Sequence, residues 1–342
     1  TISAAVFIVL TALGSISSIA WNSQQKTSRA LEDKNNFAAA IATMLTEAES
    51  LRIYDLTGAK TKLQSARQKW LDYQTSYGLD ESAAEQERMI TRISAEIRKE
   101  TALTPVLVQT LPEKGARLSL TKEDLLTATY DGAVYNAKGK IASIGKAISF
   151  ALPYEDGFIL IDENGSSARL SKSGANKFLN GQLPLKNAPD ATIYNGRFYT
   201  FDPASATIWR AVNEGNSWLP ASSWLKKSDS FLSSAVSISI DSDIYIASSE
   251  KVSRYSKGSR SDYELGLIDP GLSAITRIQT PPDSAVLYVL EAARNRIGLF
   301  TKTNGDFIRQ YLFNLEEAIS DFAVDEKEKE FFLLSGDRVY SV

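Results

Sequence analysis

The feature that most constrains this chain is a sixfold repetition in its C-terminal two-thirds. From Pro105 onward, short runs of β-forming residues alternate with turn pairs: Asp131-Gly132, Asp156-Gly157, Asn164-Gly165, Asn195-Gly196 and Asn304-Gly305. Both members of such a pair accept positive φ, which tight hairpins require. A start of small, apolar and hydroxyl residues recurs as Ala147-Ile-Ser-Phe, Ala235-Val-Ser-Ile, Ala274-Ile-Thr-Arg-Ile and Ala318-Ile-Ser-Asp-Phe. Looser copies are Ala116-Arg-Leu-Ser-Leu and Ala191-Thr-Ile-Tyr. A second strand follows each, over 125–129, 158–161, 198–201, 244–247, 286–290 and 331–334. Third strands then end near Tyr135, Leu170, Trp209, Tyr255, Phe300 and Tyr340, which lie 35, 39, 46, 45 and 40 residues apart. That spacing suits four-stranded blades.

The pattern predicts an all-β six-bladed β-propeller over residues 104–342. Small residues at each start suit innermost strands, which crowd around a central channel. An open β-sandwich is the alternative; it needs crossings between sheets and does not predict six similar units. The sixth unit has only three strands of its own, while Val106–Leu111 precedes the first unit without a hairpin partner. Placing that segment as the outer strand of the sixth blade closes the ring and leaves no dangling edge.

Upstream the periodicity is helical. Phe37, Ile41, Met44, Ala48 and Leu51 recur at three- and four-residue steps, as do Leu63, Ala66, Trp70 and Tyr73, and then Met89, Ile93 and Ile97. Breaks at Asp55-Leu-Thr-Gly58 and Tyr77-Gly-Leu-Asp80 divide three helices, and Ser82 with Glu85 has the spacing of a capping box. Residues 22–103 thus read as a helical stalk containing a hairpin. It is either a spacer or dimerising coiled coil, or a small bundle that packs its own faces. Thr1–Trp21 carries no charged residue, and 21 helical residues span about 31 Å, the thickness of a bilayer core. We read 1–21 as a transmembrane helix that partners the chain with a membrane. A signal peptide cleaved after Ser18-Ile-Ala20 is the rival reading. The chain begins at Thr1 rather than Met, so a longer product with an upstream region is expected. The propeller is expected outside the cytoplasm.

Composition removes several chemistries. The sequence has no Cys and no His, which excludes thiolate and imidazole nucleophiles, triads and the common zinc sites. A net charge of -3 gives no field for nucleic acid. No catalytic, metal-ligating or cofactor-binding residue is nominated. Asp241-Ser-Asp243 lacks the rest of a calcium loop and reads as a turn, as does Asp162-Glu-Asn164. The basic run Lys251, Arg254, Lys257 and Arg260 reads as a solvated edge. Trp218 and Trp224 are the candidate ligand contacts, since aromatics flanking Leu219-Pro-Ala221 can stack on a sugar or peptide. The alternative has them packed against the third blade, and Trp209 is expected in the core.

The repeats over roughly 105–342 resemble six-bladed propellers of the NHL or YWTD-like kind. The layout, with the stretch Ala48-Glu-Ser-Leu-Arg-Ile-Tyr-Asp-Leu-Thr-Gly-Ala-Lys60, is similar to the extracytoplasmic tail of some bacterial PPM-type phosphatases. That resemblance implies the sensory part of an enzyme whose catalytic domain lies upstream; none of that enzyme's Asp-rich metal motifs occurs here. The function expected is a membrane-anchored extracytoplasmic binding module for a protein or glycan ligand. A carboxylate-dependent hydrolase or lyase on the propeller is the reading from another class.

Overall fold

The computed structural model describes residues 2–120, 124–174, 176–281, 284–325, 327 and 329–342, with side chains described from Gln24 onward. The chain divides into two units, Thr1–Lys99 and Glu100–Val342.

The first unit is helical: α1 (Ile2–Leu51), α2 (Leu56–Tyr77) and α3 (Glu81–Ile97). Short breaks fold the helices back on one another. Asp55 caps α2 by accepting from the Gly58 N–H at 2.9 Å. Asp80 caps α3, accepting from the Ala83 N–H at 2.8 Å and the Tyr73 hydroxyl at 3.2 Å. The cap expected at Ser82 is therefore displaced, because Glu81 is already helical and an Asp just before it satisfies the free N–H groups. Ile41, Leu45 and Ala48 of α1 bury against Ala66 and Tyr73 of α2 and Ile90, Ile93 and Ile97 of α3. Arg92 reaches Glu49 at 2.9 Å and Arg52 reaches Glu96 at 3.1 Å, so α3 ends beside the α1–α2 turn. The expected membrane span, Thr1–Trp21, lies outside the residues whose side chains are described. Among the described residues no helix is long and apolar enough to cross a membrane.

The second unit begins with β1 (Glu100–Leu103) and β2 (Val106–Thr110). Blade one is β3 (Gly115–Leu120), β4 (Leu125–Thr129), β5 (Ala133–Asn136) and β6 (Gly139–Ser143). Blade two is β7 (Phe150–Tyr154), β8 (Gly157–Ile161), β9 (Ser167–Ser171) and β10 (Asn176–Leu179). Blade three is β11 (Ala191–Tyr194), β12 (Arg197–Asp202) and β13 (Thr207–Glu214), with β14 (Ser217–Trp218) and β15 (Ser222–Ser223) both on β13. Blade four is β16 (Ala235–Asp241), β17 (Asp243–Ser248), β18 (Val252–Ser256) and β19 (Ser259–Ser261). Blade five is β20 (Arg277–Gln279), β21 (Val286–Glu291), β22 (Arg296–Thr301) and β23 (Phe307–Phe313). Blade six is β24 (Asp321–Asp325), β25 (Glu330–Ser335) and β26 (Arg338–Ser341).

The ring closes as the unpaired early segment predicts. β2 runs antiparallel to β26, from Val106 opposite Ser341 to Thr110 opposite Arg338, and supplies the fourth strand of blade six. One strand was unforeseen. β1 lies where the helical stalk was expected to continue to residue 103; it pairs in parallel with β23, Glu100 opposite Gln310 and Leu103 opposite Phe313. Lys99, at φ 49°, takes the left-handed conformation that ends the helix and turns the chain into this pairing.

Each pair of successive blades encloses its own core. Leu126 and Val134 meet Phe158 and Leu160, and Ile159 and Ile161 meet Phe198 and Trp218. Phe201 and Ile208 meet Ile238 and Tyr255, Val252 meets Leu287 and Phe300, and Leu290 and Ile297 meet Phe322 and Leu333. Leu334 and Val339 of blade six meet Leu118 and Tyr135 of blade one. A sheet buried on both faces needs continuous rather than alternating apolar runs, which is the pattern of β8 and β21.

The recurring Ala-Ile-hydroxyl start has a physical role. Ile148, Ile275 and Ile319 are buried just ahead of the innermost strands of blades two, five and six. The next residue bonds its N–H to the second strand: Ser149 to Ile161 O at 2.8 Å, Thr276 to Leu290 O at 2.9 Å and Ser320 to Leu334 O at 2.8 Å. Those three strands therefore each begin three residues after the start of the motif. Asn195 and Gly196, at φ 48° and 69°, form the expected tight hairpin. At Asp156-Gly157 the turn sits one residue earlier, with Glu155 at φ 51°. Gly157 serves a different purpose, since a Cβ there would lie 2.0 Å from the Leu170 carbonyl oxygen.

Candidate binding site

Each blade contributes one residue at the mouth of the central channel, from its innermost strand or, for Asp190, from the position just before it: Arg117, Phe150, Asp190, Ser237, Arg277 and Asp321, in blade order. All but Ser237 line a cavity of about 260 Å³, with Tyr130 half-exposed at its rim. Four of these side chains form a cycle of alternating charge. Arg117 Nη2 lies 3.1 Å from Asp190 Oδ1, and Asp190 Oδ2 lies 3.4 Å from Arg277 Nη1. Arg277 Nε sits 2.5 Å from Asp321 Oδ1, an ion-pair contact without hydrogen-bond alignment. Arg117 Nη1 stands 4.0 Å from the same Asp321 oxygen. Side-chain exposure runs from 1% at Asp321 to 14% at Arg277, so the four charges are held largely away from water and sum to zero.

The carboxylates are saturated as well as neutralised. Asp190 also accepts from the Ser237 hydroxyl at 2.9 Å and from the N–H groups of Ile238 at 3.1 Å and Ala191 at 2.9 Å. Asp321 accepts from the Leu118 N–H at 2.7 Å and from Gln279. A carboxylate offers about four lone-pair directions. Asp190 has five donors around it, so its lone-pair directions are all engaged within the fold. Burial raises the Asp321 carboxyl to about 6, opposed by Arg117 and by the N–H groups of Leu118 and Phe322.

Below this layer, hydroxyl groups join neighbouring inner strands that share no backbone ladder. Ser237 accepts from the Ile278 N–H at 3.2 Å, and Ser239 from the Thr280 N–H at 2.9 Å. The Gln279 side chain donates to the Phe322 carbonyl. These bonds tie the inner strands of blades four, five and six to one another beside the charged layer.

The two tryptophans nominated from sequence are not brought together. Trp218 is 4% exposed, its indole N–H donates to Ser167 Oγ at 2.9 Å, and it stacks edge-on to Phe198 between blades two and three. Both its ring face and its polar tip are engaged inside the fold, which is the packed alternative weighed for it. Trp224 is half-buried on the other side of blade three, against the core shared with blade four. The Asp241-Ser-Asp243 turn is held by ion pairs: Lys302 bonds Asp241, and Arg254 Nε lies 3.8 Å from Asp243. Asp162 accepts from the N–H groups of Asn164 and Ser166 and pairs with Lys146 at 2.5 Å. Burial works against its charged form, but those donors outweigh it and hold the carboxyl below the usual range. Arg254 is no solvated edge residue; it reaches the carbonyls of Lys302 and Thr303 on blade five and covers the Tyr263 ring at 5.2 Å.

The charged cycle escaped the sequence reading, although a signal for it exists. Aligning the repeats on their hydroxyl residues puts Arg277 and Asp321 in one column, directly after Thr276 and Ser320. Arg117 and Asp190 fall outside that column: Arg117 directly follows Ala116 and precedes Ser119 by two, and Asp190 directly precedes Ala191.

No protein-family model and no curated protein matches the sequence. Solved structures similar in fold include the RRP9 WD40 repeats, with TM-score 0.52 and 9% identity over 69% of this chain and 96% of that one. U3-55K gives TM-score 0.50 and 9% identity over 69% and 97%. A gluconolactonase from Xanthomonas campestris gives TM-score 0.49 and 11% identity over 69% and 88%. At these identities the likeness establishes the propeller fold alone.

Proposed function

We propose that this chain is a binding module whose ligand is taken on the outside of the propeller, and that its apolar N-terminal segment anchors it to a membrane with the propeller outside the cytoplasm. The observation that carries the reading is the closed cycle of Arg117, Asp190, Arg277 and Asp321. A carboxylate-dependent hydrolase needs one acid free to give or take a proton and another free to act as nucleophile or base. Here the two acids at the channel mouth lie in one buried cycle and are held by arginines and backbone N–H groups; Asp321, although raised to about 6, has beside it no second carboxylate free to act as nucleophile or base among the described residues. A rigid ring with loops at its margins is suited instead to presenting surface.

The anchoring half rests on the uncharged stretch Thr1–Trp21. From Trp21 to Leu51 about 45 Å of helix follows.

The test uses the full chain. Mixed with liposomes and floated on a density gradient, it rises with the vesicles, while a variant carrying Ile8→Asp and Val9→Asp stays in the dense fraction. The same preparation is offered a panel of lactones, esters and glycosides. Turnover abolished by Asp321→Asn would overturn the binding reading, and a chain that fails to float would overturn the anchor.

A further inference from the structure

The connection from blade four to blade five spans 15 residues, 262–276, and is the longest between blades. Long connections without regular structure in a compact domain are usually functional. This one is fixed at many points. The Tyr263 hydroxyl donates to Thr301 O at 3.0 Å, and the Gly266 N–H to Gly305 O at 2.8 Å. Arg296, 1% exposed, donates to Pro270 O at 2.7 Å and pairs with the equally buried Glu291, which accepts from the Ser273 N–H at 2.9 Å. Gln310 donates to Asp269 O at 2.8 Å, and the Ile275 N–H bonds Ser249 O at 2.8 Å. A buried ion pair that recruits loop carbonyls and N–H groups specifies one loop position, since any other leaves a charge unpaired.

Held this way, the loop stands off from blade four and leaves a groove of about 690 Å³, within the size range of ligand sites. One part is floored by Phe231, packed on the core between blades three and four; another by Leu265 and Leu272, packed on the core between blades four and five. The groove therefore crosses the outer margin of blade four, where β19 is paired only with β18. Leu267, on the loop, is 95% exposed.

The charge in the groove is one-sided. Glu250, Asp262 and Glu264 are exposed, and among the described residues none has an ion-pair partner. Arg260 is turned to Asp229 at 3.4 Å, which leaves Lys251 as the cation set against three carboxylates. The acids are not gathered into a metal-binding group among the described residues. Dispersed acids, apolar floors and an open strand edge match the way extended peptides are recognised, with backbone pairing along the edge and alternate side chains in pockets.

We propose that this groove binds an extended peptide segment in which lysine or arginine alternates with large apolar side chains, laid along the open edge of β19. The inference deepens the binding-module reading and depends on it. The probe is a fluorescein-labelled peptide of alternating Leu/Val and Lys, compared by anisotropy with a copy carrying Glu for Lys and a copy carrying Ser for Leu and Val. The full chain is expected to bind the first saturably and each control about tenfold more weakly, with affinity falling as salt rises. The exposed pair Asp262→Lys and Glu264→Lys is expected to leave the melting temperature unchanged, weaken the Lys probe about tenfold and favour the Glu probe. Hydrogen exchange protection is expected over 250–272. Absence of saturable binding, equal affinity in the charge-reversed variant, or protection elsewhere overturns the proposal. Any of these with the substrate panel silent leaves the module reading standing; turnover dependent on Asp321 removes that reading instead.

Discussion

Arg117→Met tests the charged cycle most sharply. The substitution keeps an unbranched side chain and removes the guanidinium, which is 9% exposed, 3.1 Å from Asp190 and 4.0 Å from Asp321. Two carboxylates then share Arg277, and the buried layer carries a net charge of minus one. Breaking a buried pair by removing one partner costs about 3–5 kcal/mol, because the remaining charge is stranded rather than because the pair itself was worth that much. A domain of this kind is stable by about 5–15 kcal/mol, so the loss is a large part of the total. Urea unfolding followed by fluorescence of the buried Trp218 reads it as a lower midpoint at unchanged slope. Adding Asp190→Asn restores neutrality, with Arg277 and Asp321 left as a pair. The double variant is therefore expected to be less destabilised than the sum of the two single ones, by about 1–3 kcal/mol. An Arg117→Met chain within about 1 kcal/mol of wild type, or strictly additive variants, would refute the cycle.

Three further outcomes follow from named contacts. Asp321 has a folded carboxyl raised to about 6 by burial, above its ordinary 3.8. Between those values the folded chain holds a proton the unfolded chain has lost, so this group's contribution is complete below about pH 4 and is lost as pH rises through 6, on the order of 3 kcal/mol. Urea midpoints across that window should show the slope in wild type and not in Asp321→Asn. Arg296→Met leaves buried Glu291 with Arg294 alone, at 3.7 Å, and frees the Pro270 carbonyl; stability is expected to fall by about 3 kcal/mol, with faster hydrogen exchange at Ser273 and Ala274 marking release of the loop. Trp218→Phe loses the bond to Ser167 and part of a buried ring, costing about 1–3 kcal/mol in thermal unfolding with no change in binding of the Lys probe.

The ring architecture was largely legible because each blade repeats the same physical problem. The second strands are largely buried on both faces, so 286–290 reads as a continuous apolar run and matches β21 to within a residue, while 125–129, with two threonines among its buried positions, still matches β4. The closing strand was legible because Val106–Leu111 had β pattern and no local partner. β1 was not, since four residues paired in parallel to a strand some two hundred positions away carry no local signature. The site was harder still. Trp218 looks the same in sequence whether its indole meets Ser167 or a ligand. Of the arginines and aspartates at the channel mouth only Arg277 and Asp321 share a repeat position; Arg117 and Asp190 do not, so spacing alone does not gather the four. The blade-four groove depends on Arg296 and Glu291 capturing loop groups, a contact that sequence spacing does not encode.

The circular arrangement itself can be tested directly, because the chain contains no cysteine. Val106 and Ser341 are opposite partners in the β2–β26 ladder, and antiparallel partners lie about 4.5–5.5 Å apart at Cα, within disulfide range. Val106→Cys with Ser341→Cys should form an intramolecular disulfide on mild oxidation, seen as a reducible mobility shift of the monomer. Val106→Cys with Ser259→Cys, on the outer strand of blade four, should not. Failure of the first pair to link within one chain, or equal linking of the second, would contradict the closed six-bladed ring.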